Sequence, residues 1–343
     1  MRNKETGVAG VAASIEKNLL DGNVKLRKQH VEALADLSAT VLGIRSVNTS
    51  DWICVLPRDT AMRQSKERYI LRFLSNSGID PCNVMSVLAR DLFKRTVPNG
   101  STAVLMLDQS KISEGFECLM LSLRVGRRAL PVMWCVEETK GAIGFDIQRK
   151  LLEEATAFIP TGIRIMLAAD RFYGTSALVG YCRDRDRGYR IRLKGNLRFR
   201  HSGGDISPEE AYGQGMKSLE GAVFANSDVS TNIGILHEKG HPEPWFIAMD
   251  VKPTEYRTLD YGMRWGIECM FSDFKSRGFG ITDTKLTTAD RIERLLLVLT
   301  VASYWAVSTG LLPDPESERH TEKNAGGRLR PSLKGARADA SKF

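Results

Sequence analysis

Two aspartates stand where apolar segments end: Asp108 closes AVLML and Asp170 closes IRIMLAA. Carboxylates at the ends of buried strands lie at an open sheet edge, a common place for sites. Each also has a plainer role, capping the turn or helix that follows, and Asp170 before RFYGTSALV suits it. A third element is more specific. Tyr261, Arg264, Glu268 and Lys275 are offset by three, seven and fourteen residues. On one helix at 100° per residue those offsets fall within an arc of roughly 60°, so the four side chains share a face. A solvated charged face would explain the charges, but not the apolar Trp265, Ile267, Met270, Phe271 and Phe274 beside them.

Three carboxylates converging at one edge repel unless a cation of high charge density offsets them. Oxygen ligands favour Mg2+ or Mn2+ over zinc. The chemistry that fits is phosphoryl transfer by two ions about 3.5 to 4 Å apart, acting on an attacking oxygen and a leaving oxygen. The histidines, His30, His201, His237, His241 and His320, stand in no nucleophile or zinc motif.

The elements that must position these residues change character along the chain. Residues 1–98 read as helices, with apolar residues three and four apart. Pro98, Asn99 and Gly100 form a turn cluster and mark a boundary. AVLMLDQ, FECLMLSLRV and LPVMWCVEE then read as three consecutive strands of an antiparallel meander. FDIQRKLLEEATAFI is a helix, IRIMLAAD a strand and TSALVGYCRDRDRG a helix. That order is the order of an RNase H-like core, an α/β mixed sheet flanked by helices. Residues 99–188 form its first part and 189–243 a β-rich insertion. Residues 244–310 form its second part, with helical stretches at about 259–276 and 291–308. The polar stretch 311–343 reads as a disordered basic tail.

With 42% hydrophobic and 26% charged residues the composition is that of a soluble globular protein, and wholesale disorder is excluded. The net charge of +8 permits an anionic partner such as nucleic acid. Six scattered cysteines without a CxxC pair fit reduced thiols and a cytoplasmic location. No secretion signal is legible. The longest apolar run, Leu295 to Val307, falls short of the roughly twenty residues that span a bilayer and reads as a buried helix, so no membrane is expected.

The segment YGMRWGIECMFSDFK matches Tyr-x2-Arg-x3-Glu-x6-Lys at all four positions, with LDQS around Asp108 and ADRFYG around Asp170. In these motifs the chain resembles bacterial insertion-sequence transposases of the DDE type, specifically the IS-four family, over about residues 103–308. The resemblance implies an enzyme that cuts and strand-transfers the ends of its own element. It implies Asp108, Asp170 and Glu268 as catalytic ligands of two Mg2+ or Mn2+ ions. Tyr261, Arg264 and Lys275 would hold phosphates at the element's end, with Arg171 a further phosphate contact or else a structural ion pair. Trp245 holds the place where related transposases stack a tryptophan on a flipped base; a core tryptophan is the alternative. The implied partners are double-stranded DNA, as terminal inverted repeats and target, and a second copy of the chain in a homodimer.

The helical residues 1–98 would recognise DNA ends. Arg63, Lys66, Arg68 and Arg72 give them a basic surface, which is also what any amphipathic helix carries. Arg183, Arg185 and Arg187 alternate with Asp184 and Asp186, which reads as a solvated, self-neutralised helix end rather than a DNA patch. A plain RNase H-like nuclease and a catalytically inactive DNA-binding derivative are the competing functions.

Overall fold

The computed structural model describes residues 7–58, 62–237 and 240–310. The segment 311–343, expected to be a disordered tail, lies outside them. In chain order the elements are α1 (Val8–Asp21), α2 (Lys28–Ile44), α3 (Thr49–Val55), α4 (Arg63–Leu74), α5 (Pro81–Thr96), β1 (Thr102–Ser113), β2 (Phe116–Val125) and β3 (Arg128–Glu138). There follow α6 (Phe145–Thr156), β4 (Arg164–Ala169), α7 (Ser176–Asp184), β5 (Gly188–Arg192), β6 (Phe199–His201), β7 (Gly204–Ile206), β8 (Lys217–Phe224) and β9 (Ser230–Leu236). The last are β10 (Trp245–Met249), α8 (Glu255–Leu259), a 3-10 segment Asp260–Arg264, α9 (Trp265–Phe274) and α10 (Ala289–Gly310). The chain divides into two compact units, one holding the described residues within Met1–Pro81 and Gly278–Phe343, the other Cys82–Arg277.

The first unit is helical. Its core helix is α10, in which Leu295 to Ala302 are all buried. By length and composition α10 alone among the described helices could cross a membrane. Its polar groups are instead answered within the unit. Arg294 donates from Nη1 to Leu74 O at 2.9 Å and from Nε to Ile79 O at 3.2 Å, and Ser38 Oγ donates to Val298 O at 3.1 Å. The basic residues of α4 lie on its outer side, with Arg63, Arg68 and Arg72 exposed.

The second unit is built on a ten-stranded mixed sheet in the order β3-β2-β1-β4-β5-β10-β9-β8-β6-β7. β1, β2 and β3 form an antiparallel meander, and β4 and β5 run parallel to β1. That is the RNase H-like arrangement expected. The meander turns are tight because Gly115 (φ 80°) and Gly126 (φ 61°) take left-handed backbone that side chains disfavour. β5 takes in Gly188 and the opening residues of the stretch 189–243 read as an insertion, and it pairs with β4 in the core of the sheet. The rest of that stretch continues the same sheet, because β10 pairs antiparallel with both β5 and β9.

Helices cover the sheet where its strands are apolar. α6 and α7 present Leu151, Leu152, Leu178 and Val179, all buried. α9 lies over the meander, where Ser122 Oγ of β2 donates to Met270 Sδ at 3.3 Å. α5 docks within this unit, with Arg90 Nη2 donating to Ala157 O at 2.8 Å beyond α6.

Candidate active site

The register of two parallel strands places the first two carboxylates. Leu107 of β1 is paired with Ala169 of β4, and Asp108 and Asp170 are the next residues on each. Adjacent strands lie about 4.8 Å apart, so the two side chains leave neighbouring positions of one sheet edge. Asp108 Oδ1 accepts from Gln109 N at 2.9 Å. Asp170 Oδ1 accepts from Arg171 N at 2.6 Å and so also caps the short 3-10 turn Arg171–Tyr173.

The signature segment brings the third. It is not one helix: Asp260–Arg264 is 3-10, and α9 begins at Trp265. Residues three apart eclipse in a 3-10 helix, so Tyr261 and Arg264 still share a face. Arg264 Nη1 donates to Asp108 Oδ2 at 3.2 Å and its Nη2 donates to Glu268 Oε1. Arg264 Nε donates to Tyr261 Oη at 3.0 Å, and Tyr261 Oη donates to Asp170 Oδ1 at 3.3 Å. All three carboxylates therefore belong to one hydrogen-bonded network centred on Arg264. Lys275 follows α9 as its C-cap residue, and its Nζ donates to Ser110 Oγ at 2.6 Å, two residues beyond Asp108.

Tyr261 and Arg264, expected to hold phosphates, lie within the carboxylate network. Tyr261 is 1% exposed and Arg264 5%, and their polar atoms already serve the carboxylates. A direct hold on phosphate would require exposed donors, which Lys275 and Arg171 have to a greater degree. Arg171 takes up the alternative foreseen for it, an ion pair with Glu243 at 3.1 Å. Arg192 reaches the same carboxylate at 3.1 Å. Trp245 is 3% exposed and packs with Ile247, Met249 and Tyr261, its ring edge-on to Tyr261 with centroids 5.2 Å apart. That is the core placement; no face is open for base stacking, because β10 turns it inward. The exposed indole nearby is Trp265, whose ring meets His241 at 5.0 Å.

The electrostatics follow from crowding and burial. Asp108 is pushed up to about 6, by burial first and then by the Asp170 and Glu268 charges, against the opposing pull of Arg264. Burial works against the Arg264 charge, but Tyr261 and the three carboxylates outweigh it and raise its pKa. Burial also holds the Lys275 ammonium below its ordinary value.

No pattern in the chain singles out Tyr173. It lies in the ADRFYG segment, and only the fold shows that its hydroxyl is buried without a hydrogen-bond partner. Burial raises its pKa, and the charges of Asp108 and Asp170 raise it further. An orphaned hydroxyl beside oxygen-only acidic ligands fits a hard cation with its water shell. Among the described residues no group of three or more His, Cys, Asp and Glu side chains is gathered closely enough to hold a metal ion. The Arg264 guanidinium stands between Asp108 and Glu268 and donates to both. The donor set thus fits a divalent ion in chemistry, provided Arg264 moves aside.

Residues 150–305 match the family model described as the transposase DDE domain. The match takes in Asp170 and the whole Tyr261 to Lys275 segment, begins after Asp108, and covers somewhat less than half of the chain. Among curated proteins no relative matches the sequence. Among solved structures, a piggyBac transposase synaptic complex with hairpin DNA is similar at 11% identity, over 92% of this chain and 77% of that one, with a TM-score of 0.45. The family match to residues 150–305 supports a transposase of the DDE class.

Proposed function

We propose that the protein is a DNA transposase, of the insertion-sequence kind its motifs resemble, that cuts and strand-transfers the ends of its own element at Asp108, Asp170 and Glu268. The observation that carries this reading is the register that sets Asp108 beside Asp170, together with the Arg264 bridge that ties Glu268 to them. The three carboxylates would hold Mg2+ or Mn2+, which when bound supplies Lewis acidity to an attacking water or 3′-hydroxyl and to the leaving oxygen.

The chain's own residues do the rest. Tyr261 orients Asp170 through its hydroxyl. Arg264 bridges Asp108 and Glu268 and lowers the cost of their charges until it moves aside for the metal ions. Lys275 and Arg171, nearer to solvent, would meet phosphates of the DNA end by charge-assisted hydrogen bonds. The substrate would be double-stranded DNA, as terminal repeats and target, bound by a basic chain of net charge +8 acting as a homodimer in the cytoplasm.

The test is incubation of the full-length protein with DNA carrying the ends of its own element, with Mg2+ or Mn2+ and then with chelator. Nicked and joined products that require the metal are expected. Binding of the ends without any cleavage would replace this reading with an inactive DNA-binding derivative, and cleavage without joining would replace it with a nuclease.

A further inference from the structure

A cavity of about 620 Å³ opens at the edge of the sheet opposite the carboxylates. The starts of β1, β4, β5 and β9 line it through Thr102, Arg164, Gly188 and Ser230. β4 runs from Arg164 at this edge to Asp170 at the other, so the two places are about 20 Å apart at the usual rise of a strand. It is a separate feature from the candidate active site.

Its wall carries the cationic side chains Arg164, Arg183, Arg187 and Arg190 and the acidic Asp186 and Asp250. Arg190 is neutralised by Asp250 at 2.8 Å and lies 3.6 Å from Asp260. The other three arginines hold no carboxylate among the described residues. Arg164 Nη2 donates to Gly100 O at 3.2 Å, and Arg183 Nη1 donates to Ser230 O and Oγ at 2.5 Å each. Arg187 is 8% exposed, and its partners are neutral oxygens, Tyr181 Oη at 3.2 Å and Thr156 Oγ1. Arg171, Arg192 and Arg198 of the same unit, by contrast, each hold a carboxylate. The alternating Arg and Asp of this stretch therefore do not neutralise one another as expected from sequence, although Arg183, Asp184, Arg185 and Asp186 are exposed, as a solvated helix end would be. Arg185 turns to Glu153 at 2.7 Å, and Asp186 sits in left-handed backbone at φ 50°.

A buried guanidinium without a counter-ion is costly, and two more at the rim of the same cavity add to the cost. A bound anion removes it. Guanidinium forks match the oxygens of phosphate in geometry and charge. We infer that this cavity is a phosphate-binding site, with Arg187 at its floor and Arg164 and Arg183 at its rim, that takes a phosphate group either of a DNA strand or of a free phosphate compound. The inference does not depend on what the carboxylates do.

The test titrates the full-length protein with inorganic pyrophosphate by calorimetry in the presence of chelator. The double variant Arg164→Gln with Arg183→Gln changes only exposed side chains and so keeps the fold. Binding by the wild type that weakens about tenfold or more in the double variant is expected, as the loss of two charged hydrogen bonds requires. No binding by the wild type, or equal binding by both, overturns the site. A second arm measures affinity for duplex DNA of arbitrary sequence against salt. A slope shallower by about two in the double variant identifies the phosphates as those of DNA. An unchanged slope alongside lost pyrophosphate binding identifies a free phosphate compound.

Discussion

Replacing Arg264 with Met removes the group that joins the three carboxylates, and the structure gives the size of the effect. In the pair with Asp108 the Arg264 side chain is buried, at 7% exposed, and that of Asp108 largely so, at 20%, whereas Glu268 is 56% exposed. Removing one partner of a buried pair costs about 3 to 5 kcal/mol, while the exposed arm to Glu268 is worth about 1 kcal/mol or less. Most of the loss therefore sits on Asp108 and depends on pH. Its pKa in the folded protein is raised to about 6 from 3.8, so the folded state takes up a proton more readily than the unfolded one. Stability then falls as pH rises from the ordinary carboxylate range through about 6. Without Arg264 that pKa rises further and the fall extends to higher pH. The variant should lose about 3 to 5 kcal/mol at about pH 7.5 but about 2 kcal/mol less than that at about pH 5, where Asp108 is protonated in both proteins. Urea denaturation followed by tryptophan fluorescence at the two pH values measures this. A loss below about 1 kcal/mol, or a loss of the same size at both pH values, would refute the placement of Arg264 as the counter-charge of Asp108.

Two further substitutions test the frame around the site. Trp245→Ala should cost about 3 to 5 kcal/mol in thermal or urea unfolding, as a buried aromatic does; a variant of wild-type stability that has lost only DNA affinity would restore the base-stacking role. Gly234→Ala places a Cβ against Thr258 Oγ1 and 3.0 Å from Met249 Cε, where β9 passes under α8. A loss of about 1 to 3 kcal/mol is expected from that overpacking, and no loss would mean that α8 gives way freely.

The candidate site was legible in the sequence to the extent that it depends on local pattern. Asp108 and Asp170 stand at the ends of apolar runs, and the spacing of Tyr261, Arg264, Glu268 and Lys275 is visible in the chain. Register is not a local property. That Leu107 pairs with Ala169, and so that Asp108 neighbours Asp170, is fixed by the parallel crossover through α6 and not by either strand. The count of 100° per residue assumed one helix through the signature, and the 3-10 turn at Asp260–Arg264 keeps Tyr261 over Arg264 by a different geometry. Lys275 lies just past the end of the helix, and its side chain reaches Ser110. The inward face of Trp245 and the orphaned hydroxyl of Tyr173 follow from what packs on them, which no spacing records. The same holds for the arginines before β5, whose alternation with aspartates looks self-neutralising until the fold turns Arg187 inward and Arg185 toward Glu153. The division of the chain at Pro81 and Gly278 joins residues far apart in sequence, α10 with the first helices, which no local change of composition displays.

The central claim is that Glu268 is the third carboxylate of a phosphoryl-transfer site. Its most direct test is single-turnover cleavage of the element's own ends by wild type and Glu268→Gln, with Mg2+ or Mn2+. Glu268 is more than half exposed, so its replacement should cost about 1 kcal/mol or less and leave a folded protein that still binds the ends. Cleavage is predicted to fall by on the order of a hundredfold or more. A folded Glu268→Gln protein that cuts within about threefold of wild type would contradict the account, because an effect below about 1 kcal/mol is too small for a metal ligand in the reaction.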